Sequence, residues 1–275
     1  MTDTLVVLAA GLGSRFGGTK QLESVGPDGE AFLDFAIRDA RATGIERVVV
    51  VVRTDIEDMV RDHLARHHAA DAAIALECQD RLGPPRAKPW GTVHAVLAAA
   101  PSIEGRFAVV NADDHYGPES YRLAAAALRD VSADQAALVA FRLGNTVPER
   151  GSVSRGVCVV DGGRLVAIDE HRTIERDDAG QLRSEHGPLA DTTPVSMNLW
   201  CFDRPMLDLL QARFDAFLDE HRDEAKAECL LPVEVGALMA KGLTVRVIDS
   251  PERWIGVTNP EDLELARELL SGRTA

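Results

Sequence analysis

Five consecutive valines at positions 48–52 constrain the fold of this chain more than any other feature of its sequence. A strand with one face in water alternates apolar and polar residues, so an unbroken apolar run predicts a strand that is buried on both faces. Such strands are typical of parallel sheets, because crossover helices cover both sides of those sheets. The run therefore favours an α/β fold.

Strand-like and helical segments alternate along the first half of the chain. Strands are predicted at residues 5–8, 48–52, 73–77 and 107–111, and helices at residues 32–43, 55–68, 92–100 and 119–128. This alternation predicts βαβ units with right-handed crossovers. We expect a Rossmann-like, mixed but mostly parallel sheet with helices on both faces.

The second half of the chain has a different pattern. Strands are predicted at residues 135–142, 156–160, 164–169, 195–202 and 243–248, and helices at residues 205–221, 230–241 and 260–270, the last capped by Asn259. Asp161-Gly162-Gly163 predicts a hairpin turn, and the polar residues 174–193 predict an exposed hairpin or a flexible excursion. We expect a small β lobe within one domain that spans residues 1–275.

Composition limits the partners of the chain. Its 275 residues are 45% apolar, which is enough for a large core, and its formal net charge of −14 disfavours nucleic acid and anionic membranes. The sequence has no apolar run long enough for a membrane helix, no secretory leader pattern and no C-x-x-C pair. We expect a cytoplasmic protein, and a homo-oligomer is possible. His63 and His67 have zinc-site spacing, but without an evident third ligand we expect a solvated helix face.

A loop rich in glycine follows the first predicted strand. Residues 8–22, LAAGLGSRFGGTKQL, hold four glycines together with Arg15 and Lys20. The loop lacks the third glycine of a dinucleotide fingerprint, where Phe16 stands, and the Lys-Thr order of a P-loop. Glycines still let backbone N–H groups converge on an anion, and two cations five residues apart can hold different phosphates. The sequence therefore predicts a polyphosphate site here.

This loop resembles the opening loop, G-x-G-[ST]-R-x(n)-K, of the nucleotidyltransferases that form nucleotide sugars. Further similar segments follow in the same order: KPWGTVHA at residues 88–95, NADDHYG at residues 111–117, Gly156-Val157, Asp169-Glu170 and VSMN at residues 195–198. The resemblance covers nearly the whole chain. It implies a nucleotide-binding half over residues 1–130 and an acceptor-binding half over residues 131–275.

The resemblance implies transfer of a nucleotidyl group from a nucleoside triphosphate to a sugar 1-phosphate, with Mg²⁺ as cofactor and pyrophosphate as product. By resemblance, Arg15 holds the outgoing phosphates, Lys20 bridges to the α-phosphate, and Asp113 is the metal ligand, with Asp114 and His115 as structural neighbours. The implied nucleotide-binding residues are Leu8, Ala9, Ala10, Gly11, Gly13, Ser14, Gln79, Gly91 and Thr92. The implied acceptor-binding residues are Gly156, Glu170, Arg172 and Asn198, with Arg172 replacing a lysine that the family has after its glutamate.

The sequence departs from the family pattern at Gly256. The family has a second metal aspartate two residues after a tryptophan, whereas here Trp254 is followed by Ile255 and Gly256. Another acid (Asp249, Glu252 or Asp262) or water would then complete the metal shell, or metal binding is weakened. Two alternatives therefore stay open: a cytidylyltransferase for a phospho-alcohol or phosphonate acceptor, and a regulatory protein that binds nucleotide without turnover.

Overall fold

The computed structural model describes residues 2–11, 20–69, 73–256 and 260–270, and gives the backbone alone for residues 20, 260, 261 and 265. The strands it describes are β1 Thr4–Leu8, β2 Arg47–Val52, β3 Ile74–Cys78, β4 Phe107–Asn111, β5 Asp114–His115, β6 Gln135–Arg142, β7 Val153–Asp161, β8 Arg164–Arg176, β9 Leu182–Ser184, β10 Gly187–Pro188, β11 Pro194–Phe202, β12 Thr244–Ser250 and β13 Ile255–Gly256. The α-helices are α1 Phe32–Arg41, α2 Glu57–His67, α3 Thr92–Ala98, α4 Pro118–Leu128, α5 Met206–His221, α6 Leu231–Met239 and α7 Pro260–Leu270.

The central part of the sheet has the strand order β3-β2-β1-β4-β11-β6-β12. β1 pairs in parallel with β2 and β4, β2 with β3, and β6 with β12. Only β11 in this part runs antiparallel to its neighbours, β4 and β6. The other six strands therefore end at the same edge of the sheet.

Helices cover both faces of this sheet, which explains the valine run. Val48, Val50 and Val52 pack into the core with α1, α2 and α4. Val49 and Val51 pack on the opposite face with α3, α5 and α6. Successive side chains of a strand point to opposite faces, so a strand covered on both faces is apolar at every position.

A long hairpin of β7 and β8 forms the lobe beside the sheet. It turns at Gly162 and Gly163, both with positive φ, the conformation that glycine adopts most readily. β9 and β10 extend the hairpin, while β7 also pairs with β11 and β8 with β12. The lobe is thus continuous with strands β11 and β12 of the sheet.

The predicted fold class is confirmed, and each predicted element is present with its ends shifted by a few residues. The largest difference is that β8 extends to Arg176 rather than to residue 169, because it stays paired with β7 and then with β9. Part of the 174–193 excursion is therefore sheet. Asn259 lies outside the described residues, and the division of one domain at residue 130 stays a prediction.

The solvated helix face expected around His63 is wrong for His63 itself, which is buried. Nε2 of His63 lies 2.7 Å from Oδ2 of Asp34, and Nε2 of His68 lies 2.8 Å from Oδ1 of the same carboxylate. Asp34 Oδ2 also accepts the Ala31 N–H at 2.7 Å. The two histidines therefore fasten the end of α2 to the start of α1.

Candidate active site

The carboxyl ends of the parallel strands bring the predicted nucleotide-site residues to one edge of the sheet. Leu8 ends β1, Gln79 directly follows β3, and Asp113 lies in the turn after β4. The chain passes from β1 to β2 on one side and returns to β4 on the other, so β1 and β4 flank the topological switch point. Ligands of open α/β sheets bind outside the strand ends at such a point.

The start of the glycine loop is held in place by two side chains. Nε2 of Gln21 donates to the carbonyl of Gly11 at 2.7 Å, and Nη1 of Arg53 donates to the carbonyls of Ala10 at 3.2 Å and Gly11 at 2.8 Å. Ala9 is buried and Gly11 is exposed, so the chain emerges from the sheet at this position. Gly13, Ser14 and Arg15 lie outside the described residues, as does the side chain of Lys20.

Arg53 is a site residue that the sequence reasoning missed. It directly follows the valine strand β2, and that position at the carboxyl edge was the available signal. Its guanidinium also forms a two-pronged contact with Asp55, with Nε–Oδ1 at 3.0 Å and Nη2–Oδ2 at 2.8 Å. The hydrogen bond and charge of Arg53 lower the pKa of Asp55. The pair fixes the guanidinium where it reaches the loop carbonyls.

Gln79, Gly91 and Thr92 lie close together. Nε2 of Gln79 donates to the Gly91 carbonyl at 2.9 Å, and Gln79 is buried. A Cβ on Gly91 would lie 2.6 Å from the Cys229 carbonyl, and its φ is +102°, so this position requires glycine. Thr92 Oγ1 accepts the Leu231 N–H at 2.8 Å, which joins the loop to the start of α6. Their predicted contact with the base stays a prediction.

The turn after β4 holds the two carboxylates of the site. Asp113 is half-buried, and Asp114 is buried, with Oδ2 accepting Nδ2–H of Asn111 at 2.9 Å and lying 3.3 Å from the Tyr116 hydroxyl. Burial and the charge of Asp114 raise the pKa of Tyr116 well above its ordinary value. The phenol is therefore neutral, and it donates to the Met197 carbonyl at 2.9 Å.

Asn198 is already engaged within the protein. Its Nδ2 donates to Oδ1 of Asn111 at 2.8 Å, and its Oδ1 accepts Nε1–H of Trp200 at 3.0 Å. Asn198 occupies the bulge of β11 with φ of +66°, a conformation in which asparagine is enriched. Asn198 holds Asn111 and thereby the Asp114 carboxylate. Its predicted contact with the acceptor substrate stays a prediction.

Gly156 and Glu170, the predicted acceptor-binding residues, face each other across the β7–β8 ladder. A Cβ on Gly156 would lie 2.8 Å from Cγ2 of Ile168, so glycine allows the close approach of β8. Next to Gly156, Arg155 is a half-buried cation that the sequence reasoning missed. Burial lowers the pKa of Arg155, and the charges of Asp114 and Glu170 oppose that effect. The charges of both carboxylates therefore act on Arg155.

Arg172, the predicted phosphate contact, is exposed and lines a cavity of about 450 Å³. Its walls are residues 145–148 and 150–155 after β6, Arg172 of β8, residues 253–256 and Asp262. Arg150, Arg155 and Arg253 line the same space, which is called the arginine cavity below. The cavity lies at the same sheet edge as Asp113, because β6 and β12 also end there.

The structure accounts for two of the three acids considered as substitutes at Gly256. Asp249 forms an exposed ion pair with Arg142, and Oε1 of Glu252 accepts the Glu119 N–H at the start of α4. Asp262 lines the arginine cavity. Gly256 itself pairs with Asp114 in the β13–β5 ladder, and a Cβ on it would lie 3.0 Å from Asp114 Oδ1. Asp114 thus occupies the space beside Gly256.

None of the helices in the described ranges is both long and apolar enough to cross a lipid bilayer. The described residues also contain no group of three or more histidine, cysteine and acidic side chains placed to hold a metal.

Two solved structures share the fold of this chain. A candidate glucose-1-phosphate thymidylyltransferase from Bacillus anthracis, in complex with sucrose, matches with a TM-score of 0.68 and 13% identity over 98% of this chain and 95% of that one. The inositol-1-phosphate CTP transferase from T. maritima matches with a TM-score of 0.64 and 16% identity over 100% of this chain and 98% of that one. Both likenesses concern the fold.

Sequence comparison identifies the family. The bifunctional protein GlmU of Hyphomonas neptunium (strain ATCC 15444) is 30% identical over 284 residues, covering 98% of this chain and 53% of that protein. The chain thus spans about half the length of this curated relative. The model of the MobA-like NTP transferase domain matches residues 5–215. The chain therefore belongs to the family of MobA-like NTP transferase domains.

Proposed function

We propose that this chain transfers a nucleotidyl group from a nucleoside triphosphate to a sugar 1-phosphate, with Mg²⁺ as cofactor and pyrophosphate as product. The observation that carries the proposal is the order of residues along the carboxyl edge. The start of the glycine loop after β1 adjoins the turn of Asp113 after β4, and the lobe with Glu170 lies beyond β11. This order supports a nucleotide on one side of Asp113 and an acceptor on the other.

Both reactants are anions, so catalysis requires charge neutralisation and positioning. In the proposal, Arg15 holds the outgoing β- and γ-phosphates and Lys20 contacts the α-phosphate, while Arg53 and Gln21 fix the carbonyls at the start of their loop. An oxygen of the acceptor phosphate attacks the α-phosphorus in line, and pyrophosphate leaves. Gln79, held against Gly91, lies on the base side.

The carboxylates after β4 fit Mg²⁺. This ion prefers oxygen ligands and takes one or two carboxylates together with phosphate oxygens and water. Asp113 supplies such a carboxylate beside Asp114, whose other contacts hold it in place. A bound Mg²⁺ would neutralise charge on the phosphates, and in the proposal Asp113 holds it. In this proposal the site requires no carboxylate at residue 256, because Asp114 already lies beside Gly256 across the β13–β5 ladder.

On the acceptor side, Glu170 is exposed and in the proposal accepts hydrogen bonds from hydroxyl groups of the acceptor. Gly156 gives the acceptor access along β7. Arg172 contacts the acceptor phosphate in place of a lysine. His171, the residue next to Glu170, is not available for that role, because it is buried with Nδ1 2.9 Å from the Ser184 hydroxyl. The departures from the family pattern at Gly256 and at Glu170-His171-Arg172 favour a second candidate: transfer of a cytidylyl group to a phospho-alcohol or phosphonate.

The test is phosphate release in the presence of pyrophosphatase and Mg²⁺, across four nucleoside triphosphates and a panel of phosphorylated acceptors. We expect acceptor-dependent release, and a loss of about 100-fold in kcat for Asp113→Asn and Lys20→Ala. Asp249→Asn is the matched control, since its carboxylate pairs with Arg142 on the exposed surface. Circular dichroism checks that each variant is folded.

The outcomes separate the candidates. Release with CTP and a phospho-alcohol alone would establish the second candidate. Nucleotide binding without release for any acceptor would indicate a regulatory protein. Wild-type turnover by Asp113→Asn would contradict the role of Asp113.

A further inference from the structure

The arginine cavity holds more positive charge than one phosphate requires. Arg150, Arg155, Arg172 and Arg253 all line it, in a chain whose formal net charge is −14. Many other basic residues of the chain pair with acids, as Arg142 does with Asp249 and Arg246 with Asp130. In the described ranges, no ion pair joins any of the four cavity arginines to a carboxylate. Of the described residues that line the cavity, one is an acid, Asp262, against these four arginines, so positive charge is in excess in the cavity.

Arg155 is fixed at the inner end of the cavity by neutral groups. Its Nη2 and Nε donate to the carbonyl and hydroxyl of Thr146 at 2.5 and 3.3 Å, and its Nη1 donates to the Ser154 carbonyl at 2.8 Å. The guanidinium also stacks on Trp254, with Cζ 4.8 Å from the ring centroid. A guanidinium has five N–H groups, so two remain for a ligand, and the neutral acceptors leave its charge intact.

The cavity has two levels. Arg155 is half-buried, and Gly256, which lines the same space, pairs with Asp114 across the β13–β5 ladder, so the inner end adjoins a carboxylate of the active site. Arg150, Arg172 and Arg253 are exposed and form the rim. An arginine fork contacts a carboxylate or phosphate with two parallel hydrogen bonds, so one or two arginines suffice for one such group. With Arg172 assigned to the phosphate that reacts, Arg150 and Arg253 of the rim provide the contacts for another.

We propose that the arginine cavity binds a second anionic group of the acceptor, so that the acceptor carries a carboxylate or a second phosphate in addition to the phosphate that reacts. This inference rests on the proposed function, which supplies the acceptor as the ligand of the cavity. The cavity lies at the β6 and β12 end of the sheet edge, across β11 from β4, whereas the glycine loop lies on the β1 side. Its occupant is thus the acceptor rather than the nucleotide.

The test measures binding of two matched probes, glucose 1-phosphate and glucose 1,6-bisphosphate, by isothermal titration calorimetry at about 0.1 M salt. We expect the bisphosphate to bind at least about tenfold more tightly to the full chain. The double variant Arg150→Ser/Arg253→Ser is expected to reduce that ratio to about twofold or less. Arg129→Ser/Arg222→Ser is the control, since it removes two exposed arginines that do not line the cavity, and it should keep the full ratio.

Three outcomes would overturn the inference: no preference for the bisphosphate, no detectable binding of it, or a preference that persists in the double variant. Bisphosphate binding that saturating glucose 1-phosphate does not displace would also overturn it, because the cavity would then be a separate effector site. Glucuronic acid 1-phosphate tested in the same way distinguishes a carboxylate from a phosphate as the second group. Calorimetry measures no turnover, so these results stand apart from those of the phosphate-release assay.

Discussion

Trp254 and Gly256 are packed as a pair, and this pairing explains the missing side chain at residue 256. A Cβ on Gly256 would lie 2.2 Å from Cη2 and 2.5 Å from Cζ2 of Trp254, well inside any normal contact. Arg155 stacks on the same indole, so the ring cannot move without displacing a cation of the arginine cavity. The tryptophan ring therefore occupies the space that a side chain at residue 256 would need.

Gly256→Ala is expected to destabilise the protein by about 1–3 kcal/mol, because overpacking forces side chains away from their preferred conformations. Urea unfolding followed by circular dichroism measures the change. Gly236→Ala, in the middle of α6 with no atom within 4 Å of its added Cβ, is the control and should stabilise by about 0.5–1 kcal/mol.

A double-mutant cycle identifies the ring as the cause. In a Trp254→Ala background, Gly256→Ala should cost at least about 1 kcal/mol less than in wild type, because the indole atoms are gone and the 3.0 Å contact with Asp114 Oδ1 remains. An equal cost in both backgrounds would show that something other than the indole excludes a side chain at residue 256.

Residues close together in the sequence were predictable site members, whereas those joined only by the fold were not. The place of Asp113 at the carboxyl edge of the sheet followed from the apolar strand before it. The glycine at residue 256, where the family has an aspartate, was visible in the sequence. The stacking of Arg155 on Trp254 joins residues 99 positions apart, and Asn198 reaches Asn111 from 87 positions away. No spacing pattern reports such contacts, because they depend on the pairing of β11 with β4 and of β13 with β5.

At the scale of elements, α1 and α2 are joined by one buried carboxylate. Burial alone would raise the pKa of Asp34, but hydrogen bonds from His63 and His68 outweigh it and lower the pKa from 3.8 to about 2. A lowered pKa means that the folded state stabilises the ionised carboxylate. The resulting stability is present above about pH 4 and is lost as the pH falls towards 2.

We therefore expect wild type to lose about 2 kcal/mol more than Asp34→Asn between pH 5 and pH 2, since the variant has no proton to bind there. Urea unfolding at intervals across this range measures the difference. Asp130→Asn, which removes an exposed partner of Arg246, is the control and should change stability by less than about 1 kcal/mol. Parallel pH profiles for wild type and Asp34→Asn would contradict the coupling.

The elements themselves were predictable because their patterns are local. The valine run predicted β2, and the pair Gly162-Gly163 predicted the turn of the β7–β8 hairpin. The true length of β8 was not predictable, since residues 170–176, EHRTIER, are mostly polar or charged and stay extended through their pairing with β7 and β9. The burial of His63 likewise depended on where Asp34 of α1 would lie.

At the scale of the whole molecule, the strand order separates two groups of residues along one edge. Arg53 follows β2 and holds the carbonyls that begin the glycine loop, while Arg172 lies on β8 beside the strands on the far side of β11. Neighbouring strands are about 4.8 Å apart, so several strand widths lie between the two positions. If the proposed function is right, each arginine serves one substrate.

This separation predicts that substituting either arginine raises the Michaelis constant of one substrate and leaves that of the other nearly unchanged. Arg53→Met removes the donors that fix the carbonyls of Ala10 and Gly11, so the KM for the nucleoside triphosphate should rise about tenfold while the acceptor KM changes less than about twofold. Arg172→Ser should do the reverse, because it removes a charge from the arginine cavity. Steady-state kinetics with each substrate varied in turn measures both constants.

Arg204→Met is the matched control for Arg53→Met. Arg204 also donates to a loop carbonyl, that of Ile103 at 3.1 Å, but it follows β11 and therefore lies at the opposite edge of the sheet. Its loss should leave both KM values within about twofold of wild type, because no part of the proposed site lies at that edge. A rise in both constants for Arg53→Met and for Arg172→Ser would show that the two ends of the edge are not independent, and the division of the site between nucleotide and acceptor would then be wrong.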